Sequence, residues 1–131
     1  MTNAERVKEF MEAFGQEVKE SPELADHKTA MLRLKLILEE YEELDAADAD
    51  GDLVGIADAL SDILYVVYGA AHAYGIPIDK CFDEVHNSNM SKLGADGKPI
   101  FRADGKVLKG PDFYEPDLKG VLNEWFFKEY N

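Results

Sequence analysis

The sequence lacks several features that would assign a 131-residue chain to other classes of protein. Its single cysteine, Cys81, excludes an internal disulfide bond. No uninterrupted apolar run reaches the ~18 residues of a membrane span, and the N-terminus lacks the apolar stretch of a signal peptide. We therefore expect a cytoplasmic protein without a membrane-spanning segment, folded as one domain over residues 1–131.

Basic residues are scarce as well. The 14 Lys and Arg residues stand against 27 Asp and Glu residues, and the net charge of -13 would repel nucleic acid and anionic membranes. The charge is unevenly distributed, because ten carboxylates and no Lys or Arg lie between Glu39 and Asp62. Over residues 92–109 the sign reverses, with five basic residues and two acidic ones. We expect no nucleic-acid or membrane partner.

Apolar residues recur at helical spacing through most of the chain, which predicts an all-α bundle of four to five helices. A first amphipathic helix is predicted to end near Ser21 and Pro22, and a second to run from about Glu23 to Asp48. The third, roughly Leu53 to Tyr74, is apolar nearly all round, so we predict that it forms the buried centre of the bundle, capped by Gly75.

The C-terminal part of the chain is predicted to be less regular. Pro77 suits the first position of a fourth helix, which fades by about Met90. Two short runs, Pro99 to Arg102 and Lys106 to Lys109, flank an Asp-Gly pair, which predicts a small β-hairpin. A last helix is predicted to begin at about Asp117.

Acidic residues on the second and third helices form the main candidate site. Glu40 and Glu43 share one face of the second helix, with Glu39 beside them, and Asp58 and Asp62 form an i, i+4 pair on the third. A short turn would make these helices antiparallel neighbours. Four or five facing carboxylates would repel one another unless a cation compensates, and oxygen ligands suit Mg²⁺ or Mn²⁺.

Acidic helix faces are more often simply solvated, and this is our interpretation of Glu42, Asp45 and Asp48. A non-catalytic acidic bundle that binds a protein or mimics nucleic acid is therefore an alternative function. Asp58 and Asp62 argue against it, since they interrupt the most apolar helix, whereas a mimic would place its acids outside.

The acidic pattern resembles the EExxE…ExxD motif of MazG-type proteins, and four residues match it directly: Glu39, Glu40, Glu43 and Asp62. One position departs from the motif, because Ala59 stands where the family has Glu. Asp58 is the nearest acid and can still share a face with Asp62.

The resemblance extends further along the chain. Asn89-Met90-Ser91-Lys92 is similar to the NxxK segment of dimeric all-α dUTPases, and the tail from Ser88 through DGKPIFRADGKVLKG resembles phosphoribosyl-ATP pyrophosphohydrolase-like proteins. Together the resemblance covers approximately residues 28–118. It implies a homodimer or homotetramer, as does the third helix, which one small bundle could not cover.

The resemblance also implies an activity, namely hydrolysis of a nucleoside triphosphate between its α and β phosphates. Phosphoribosyl-ATP hydrolysis in histidine biosynthesis is the alternative within enzymes. The metal would be held by Glu40, Glu43, Asp58 and Asp62, and Glu39 would orient or deprotonate the attacking water. The substrate phosphates need cations, for which the candidates are Lys92, Lys98, Arg102, Lys106 and Lys109, and Asn89 of the NxxK segment is a further candidate for substrate binding. Tyr65, Tyr68 and Trp125 are predicted core residues, although an aromatic residue near the site could stack on a base.

Overall fold

The structure, a computed structural model, describes residues 1–123. These residues form four helices, α1 (Asn3–Ala13), α2 (His27–Ala49), α3 (Leu53–Tyr74) and α4 (Ile78–Met90), and a helical segment, α5, over residues 118–123. The all-α prediction is confirmed. The chain divides into two compact units, Met1–Ile78 and Asp79–Asn131. The assignment of a single domain stays a prediction.

Helix α1 is shorter than predicted, because it ends at Ala13 and not near Ser21. Gly15 follows with a φ of 73°, a left-handed conformation that terminates helices. The next segment turns back onto the end of α3, where the Lys19 and Glu23 amides donate to the carbonyls of His72 and Tyr74. Both carbonyls lie in the last turn of α3, where helix carbonyls lack their full set of intrahelical partners, so the segment helps to satisfy the end of α3.

Helices α2 and α3 begin at aspartate caps. The side chain of Asp26 accepts from the Thr29 amide at 2.8 Å, which places the start of α2 four residues later than predicted. Asp52 accepts from the Gly55 amide at 3.0 Å and begins α3. Only the short turn around Gly51 separates the two helices, and α2 packs along α3 as an antiparallel neighbour.

Helix α3 has the predicted bounds, and Gly75 caps it in the left-handed conformation. The prediction of a buried centre is wrong for the single chain, since the buried positions of α3 are small residues, Ala59, Gly69, Ala71 and Ala73. Its larger side chains stay accessible, with Leu60 49% and Leu64 56% exposed.

By length and composition, α3 is the one described helix that could cross a membrane. The same composition is typical of core helices in soluble bundles, and α3 packs against both α1 and α2. Its two aspartates, Asp58 and Asp62, also interrupt the apolar sequence. These features favour a bundle helix.

The predicted β-hairpin does not form a pair of strands in the second unit. The described residues there contain one antiparallel bridge, between Phe101 and Val107, closed by a bond from the Arg102 amide to the Lys106 carbonyl at 2.8 Å. Phe101 is 57% and Val107 47% exposed, so the turn has no buried face. Two short runs without an apolar surface to pack against are too weak to extend a ladder.

The predicted C-terminal helix begins where expected. Asp117 caps it, since its side chain accepts from the Gly120 amide at 2.9 Å. The Asp117 amide in turn donates to Glu84 of α4 at 2.9 Å, which fixes the start of α5. Trp125, a predicted core residue, lies outside the described residues.

Candidate functional site

Three predicted metal ligands converge between α2 and α3. Carboxylate oxygens of Glu40, Glu43 and Asp62 lie within 4.8 Å of one another. Glu40 and Asp62 are half-buried and Glu43 is exposed. The helix period places Glu40 and Glu43 on one face of α2, and the short turn brings Asp62 of α3 opposite them. The group, called the acidic cluster below, lies entirely within the first unit.

Two carboxyls of the acidic cluster, Glu40 and Asp62, hold their protons more tightly than isolated carboxyls do. Burial raises the pKa of Glu40, and the neighbouring carboxyls of Glu43, Asp62 and Asp58 raise it further. Burial also raises the pKa of Asp62, together with the charges of Asp58 and Glu43. The acidic cluster is therefore a region of concentrated negative potential.

The donor set fits a divalent cation. The Oε2 atom of Glu40 is buried and has no hydrogen-bond partner among the described residues. A buried oxygen without a partner is unfavourable unless another group, such as a cation, contacts it. Several carboxylate oxygens at one point are the ligands that Mg²⁺ and Mn²⁺ prefer.

The two other predicted acidic residues lie at the margin of the acidic cluster. Glu39 is exposed and lies 3.9 Å from the Nζ of Lys35, one turn earlier on α2. Asp58 is exposed and lies outside the group of three, although its charge acts on both Glu40 and Asp62. The neighbouring Ala59 is 2% exposed, so the family's glutamate position faces the interior of the bundle.

A buried arginine on the same helix face was not predicted. Arg33 lies two turns before Glu40, is 9% exposed, and donates to Gln16 at 3.3 Å. A Cβ added to Gly69, which lies two turns beyond Asp62 on α3, would be 2.7 Å from the Arg33 guanidinium. The glycine thus makes room for the arginine. The sequence signal was a charged residue within the apolar run of α2.

The predicted phosphate-binding residues lie in the second unit. Asn89 is exposed at the end of α4, and its carbonyl accepts from the amide of Lys92, which is half-buried. Lys98 and Lys106 are exposed in the turns that follow. Apart from Asn89, the predicted phosphate-binding residues therefore all lie in the irregular segment that follows α4.

Two of the predicted cations in that segment already have acidic partners. Arg102 forms a two-pronged ion pair with Asp104, which raises the pKa of the arginine and lowers that of the aspartate. Lys109 lies 3.6 Å from Glu115 and 4.7 Å from the centre of the Phe113 ring. An anionic ligand would have to compete with these surface pairs, which are individually weak.

A cleft of about 240 Å³ opens between α1 and α3 within the first unit. Its walls are formed by Asn3, Arg6 and Val7 of α1 and by Ser61, Leu64, Tyr65 and Tyr68 of α3. Ser61 lies between Asp58 and Asp62 in the sequence, and the other three α3 residues lie in the two turns that follow. The position of α1 across the two tyrosines depends on tertiary packing and could not be predicted from the sequence.

Comparisons with known proteins agree with this architecture. The model of the phosphoribosyl-ATP pyrophosphohydrolase family matches residues 7–89. An uncharacterized protein of Acanthamoeba polyphaga mimivirus is 36% identical over 115 residues, which cover 82% of this chain. They cover 42% of the viral protein, so the chain spans less than half the length of that relative.

One solved structure has a similar fold. The crystal structure of a proposed NTP pyrophosphohydrolase from Exiguobacterium sp. 255-15 superposes with a TM-score of 0.52 and 24% sequence identity. The superposition covers 99% of this chain and 96% of the other. At this identity the similarity concerns the fold alone.

Proposed function

Since the chain belongs to the phosphoribosyl-ATP pyrophosphohydrolase family, we propose that it hydrolyses a nucleoside triphosphate between the α and β phosphates. The products are a nucleoside monophosphate and pyrophosphate. The observation that carries the proposal is the acidic cluster, in which carboxylate oxygens of Glu40, Glu43 and Asp62 lie within 4.8 Å of one another and Glu40 Oε2 is buried with no hydrogen-bond partner among residues 1–123. Carboxylates that converge in this way repel one another unless a cation compensates their charge.

Glu40, Glu43 and Asp62 would hold a divalent cation, Mg²⁺ or Mn²⁺, with Asp58 as a candidate for the fourth ligand. When bound, the ion neutralises charge on the phosphate oxygens and so favours displacement at phosphorus. Asp58 would have to change its rotamer to join the other three, since it lies outside their group in the structure. A side chain that is exposed can make this change at low cost.

Glu39 is the candidate for positioning the attacking water. Its carboxylate is solvent-accessible and lies beside Glu40 on α2, with only a long contact of 3.9 Å to Lys35. In the reaction, the water oxygen forms a bond to phosphorus while the bridging bond to the leaving pyrophosphate breaks. Glu39 would accept the proton that the water releases.

The cations of the second unit would bind the phosphates. Lys92, beside Asn89, is the strongest candidate, because no acidic partner is found for it among the described residues. Lys98, Arg102, Lys106 and Lys109 could add positive charge, although Arg102 and Lys109 would first have to release Asp104 and Glu115.

The substrate could also be phosphoribosyl-ATP, since both reactions release pyrophosphate and need the same residue types. The length of the basic segment after α4 favours a general or pyrimidine nucleoside triphosphate. A non-catalytic acidic binding protein is the alternative from another class. It does not explain why Glu40 Oε2 is buried without a hydrogen-bond partner in the described part of the chain.

We further propose that the protein is a homodimer or homotetramer in the cytoplasm. The exposed leucines Leu60 and Leu64 lie on one side of α3, and Leu34 and Leu38 are similarly exposed on α2. Apolar side chains repeated at this spacing are expected to be covered by another helix. Light scattering at micromolar concentration should give twice or four times the chain mass, and a monomeric mass would contradict the proposal.

The activity is tested by incubating the protein with a panel of nucleotides and Mg²⁺ in ¹⁸O-labelled water. We expect a monophosphate and pyrophosphate without free orthophosphate. A diphosphate product would place the cleavage at the γ phosphate and refute the assignment. Release of pyrophosphate from phosphoribosyl-ATP alone would select the alternative substrate, and no hydrolysis of any nucleotide would favour the binding protein.

Two substitutions separate the proposed roles. Glu39→Gln should lower kcat and leave nucleotide binding largely intact, because it removes the proton acceptor but no phosphate contact. Lys92→Ala should raise KM with little change in kcat, because the lost contact is made in ground and transition states alike. Exchanged effects, with Glu39→Gln acting on KM and Lys92→Ala on kcat, would show that the roles are wrongly assigned.

A further inference from the structure

We propose that the cleft between α1 and α3 binds the base of the nucleotide substrate, an inference that rests on the proposed function. The cleft is lined by residues of α1 and α3 within one compact unit. Its volume of about 240 Å³ lies below the usual range for a whole drug-sized ligand and is suited to one planar ring system. The triphosphate would therefore remain outside the cleft.

The cleft and the acidic cluster are joined by one face of α3. With 3.6 residues in each turn, Asp58, Ser61 and Tyr65 lie on the same side of the helix, and Tyr68 continues the row. Asp62 follows Ser61 directly and points to the neighbouring side, towards α2. A base between the tyrosines would lie about one helical turn from Asp62 and about two to three turns from Asp58, so its phosphates would extend along α3 towards the acidic cluster.

The lining has the chemistry that a base requires. Tyr65, Tyr68 and Leu64 offer aromatic and apolar surface, on which any base can stack. Asn3 and Arg6 supply donors for ring carbonyl groups and nitrogens. The Ser61 hydroxyl donates to the Ala57 carbonyl at 2.8 Å, so its oxygen still has capacity to accept from an exocyclic amine.

Contacts around the cleft hold its walls in place. The Tyr65 ring packs edge-on against Phe10 of α1, with the ring centres 5.6 Å apart. Arg6 donates to Asn3 at 3.0 Å, and the start of α1 is tied to α3 by the 2.7 Å bond between His72 and the Ala4 carbonyl. A wall that is already ordered loses less entropy when the ligand binds.

The composition of the cleft also argues against the phosphates as its occupants. Arg6 is the only cation among the lining residues of the cleft. The nearby carboxyls of Asp58 and Asp62 would repel a phosphate group unless a metal ion lay between them and the phosphate. A side chain from a second copy of the chain is the other conceivable occupant, because Leu64 also belongs to the exposed apolar side of α3.

The proposal is tested by binding without turnover. The ligands are dUMP and AMP, which represent the pyrimidine and purine products, and ribose 5-phosphate, which has no base. Titration calorimetry in EDTA removes the contribution of any metal. We expect the wild type to bind at least one nucleotide about tenfold or more tightly than ribose 5-phosphate, which is the size of one stacking contact.

Tyr68→Leu should remove most of this preference, because it keeps apolar bulk but removes the ring. Tyr74→Leu is the matched control, since it makes the same change on α3 outside the cleft and should keep the preference. Asn3 is exposed on α1, so Asn3→Ala should lower the preference for at least one base without affecting the fold. This variant therefore tests the proposal even if Tyr68→Leu does not fold.

A preference that survives in both Tyr68→Leu and Asn3→Ala overturns the proposal. So does a change of oligomeric mass in Tyr68→Leu, because it would show that a second copy of the chain occupies the cleft. Failure of the proposed function gives a different result. If the wild type binds a base through Tyr68 but hydrolyses no triphosphate, the base site is supported and the proposed reaction is refuted. If the wild type hydrolyses a triphosphate but shows no preference for a base, the reaction is supported and the base site is refuted.

Discussion

Replacing Asp62 by asparagine tests whether the acidic cluster holds a metal ion. The substitution keeps the size of the side chain, but it removes one of three carboxylates whose oxygens lie within 4.8 Å. It therefore removes a ligand and a repulsive charge at once. These two losses have opposite consequences for stability, which depend on whether a divalent cation is present.

Without metal, the variant should be at least as stable as the wild type at neutral pH. Burial and the charges of Asp58 and Glu43 raise the pKa of Asp62 in the folded state. A carboxyl with a raised pKa favours the folded state most below its unfolded pKa. This contribution to stability is lost as the pH rises from the unfolded pKa through the higher folded pKa, and above the folded pKa it no longer changes with pH. Asparagine does not titrate, so the variant should lose this part of the acid-side pH dependence.

With metal, the order should reverse. An ion at one hundred times its Kd stabilises the folded state by about 2.7 kcal/mol. The unfolding entropy of a 131-residue chain is about 0.28 kcal/mol per kelvin, so the wild-type Tm should rise by about 10 °C. If the loss of the Asp62 carboxylate weakens metal binding about a hundredfold, the ion would stabilise the variant by only about 0.4 kcal/mol. The Tm of the variant should then rise by about 1.5 °C.

The assay is thermal unfolding in EDTA and in millimolar Mn²⁺, at pH 5 and pH 7.5. The matched control is Asp45→Asn, which removes the same charge from an exposed position of α2 outside the acidic cluster and should retain the full metal-induced rise. The rise should be larger at pH 7.5, because metal and protons compete for the same oxygens. An unchanged wild-type Tm in Mn²⁺, or equal rises in wild type and Asp62→Asn, would refute the reasoning.

Four further substitutions test the fold and the assembly. Gly75→Ala should lower the free energy of unfolding by about 3 kcal/mol or more, because φ is +66° and the added Cβ would lie 2.1 Å from the Ser21 carbonyl oxygen. Gly51→Ala should lower the free energy of unfolding in urea by only about 1 kcal/mol, since φ is similar but no atom lies within 4 Å of the added Cβ. Equal losses in the two glycine variants would show that the clash with Ser21 contributes nothing. Ser88→Ala should cost about 1 kcal/mol by the same assay, because Ser88 is 3% exposed and donates to the Tyr114 carbonyl at 2.7 Å, and no loss would show that the bond contributes nothing. Leu64→Lys should shift the mass in light scattering towards the monomer, and an unchanged oligomer would place the interface elsewhere.

Features that depend on neighbouring residues could be predicted from the sequence. The bounds of α3 follow from its apolar composition between Asp52 and Gly75, an N-cap and a left-handed C-cap that act within one turn. The pairing of Glu40 with Glu43 follows from the helical period alone. Because the turn at Gly51 is short, the sequence also indicated that Asp62 would face them.

Features that depend on how helices rotate and pack were decided only by the tertiary structure. Helical spacing allowed Asp58 to join the acidic cluster, but the rotation of α3 against α2 left it exposed, with Ala59 inside. The early end of α1 depends on α3 as well, because residues 19–23 satisfy carbonyls of its last turn.

The buried Arg33 and the cleft between α1 and α3 were also decided by the tertiary structure, because both depend on residues that lie far apart in the sequence. Arg33 fits because Gly69, 36 positions later, has no side chain, and the cleft joins Asn3 to Tyr68 across most of the first unit. Local conformational preferences fix where a helix starts, ends and turns its apolar side. They do not fix which residues of another helix lie against it, since that choice is made by packing among all the helices together.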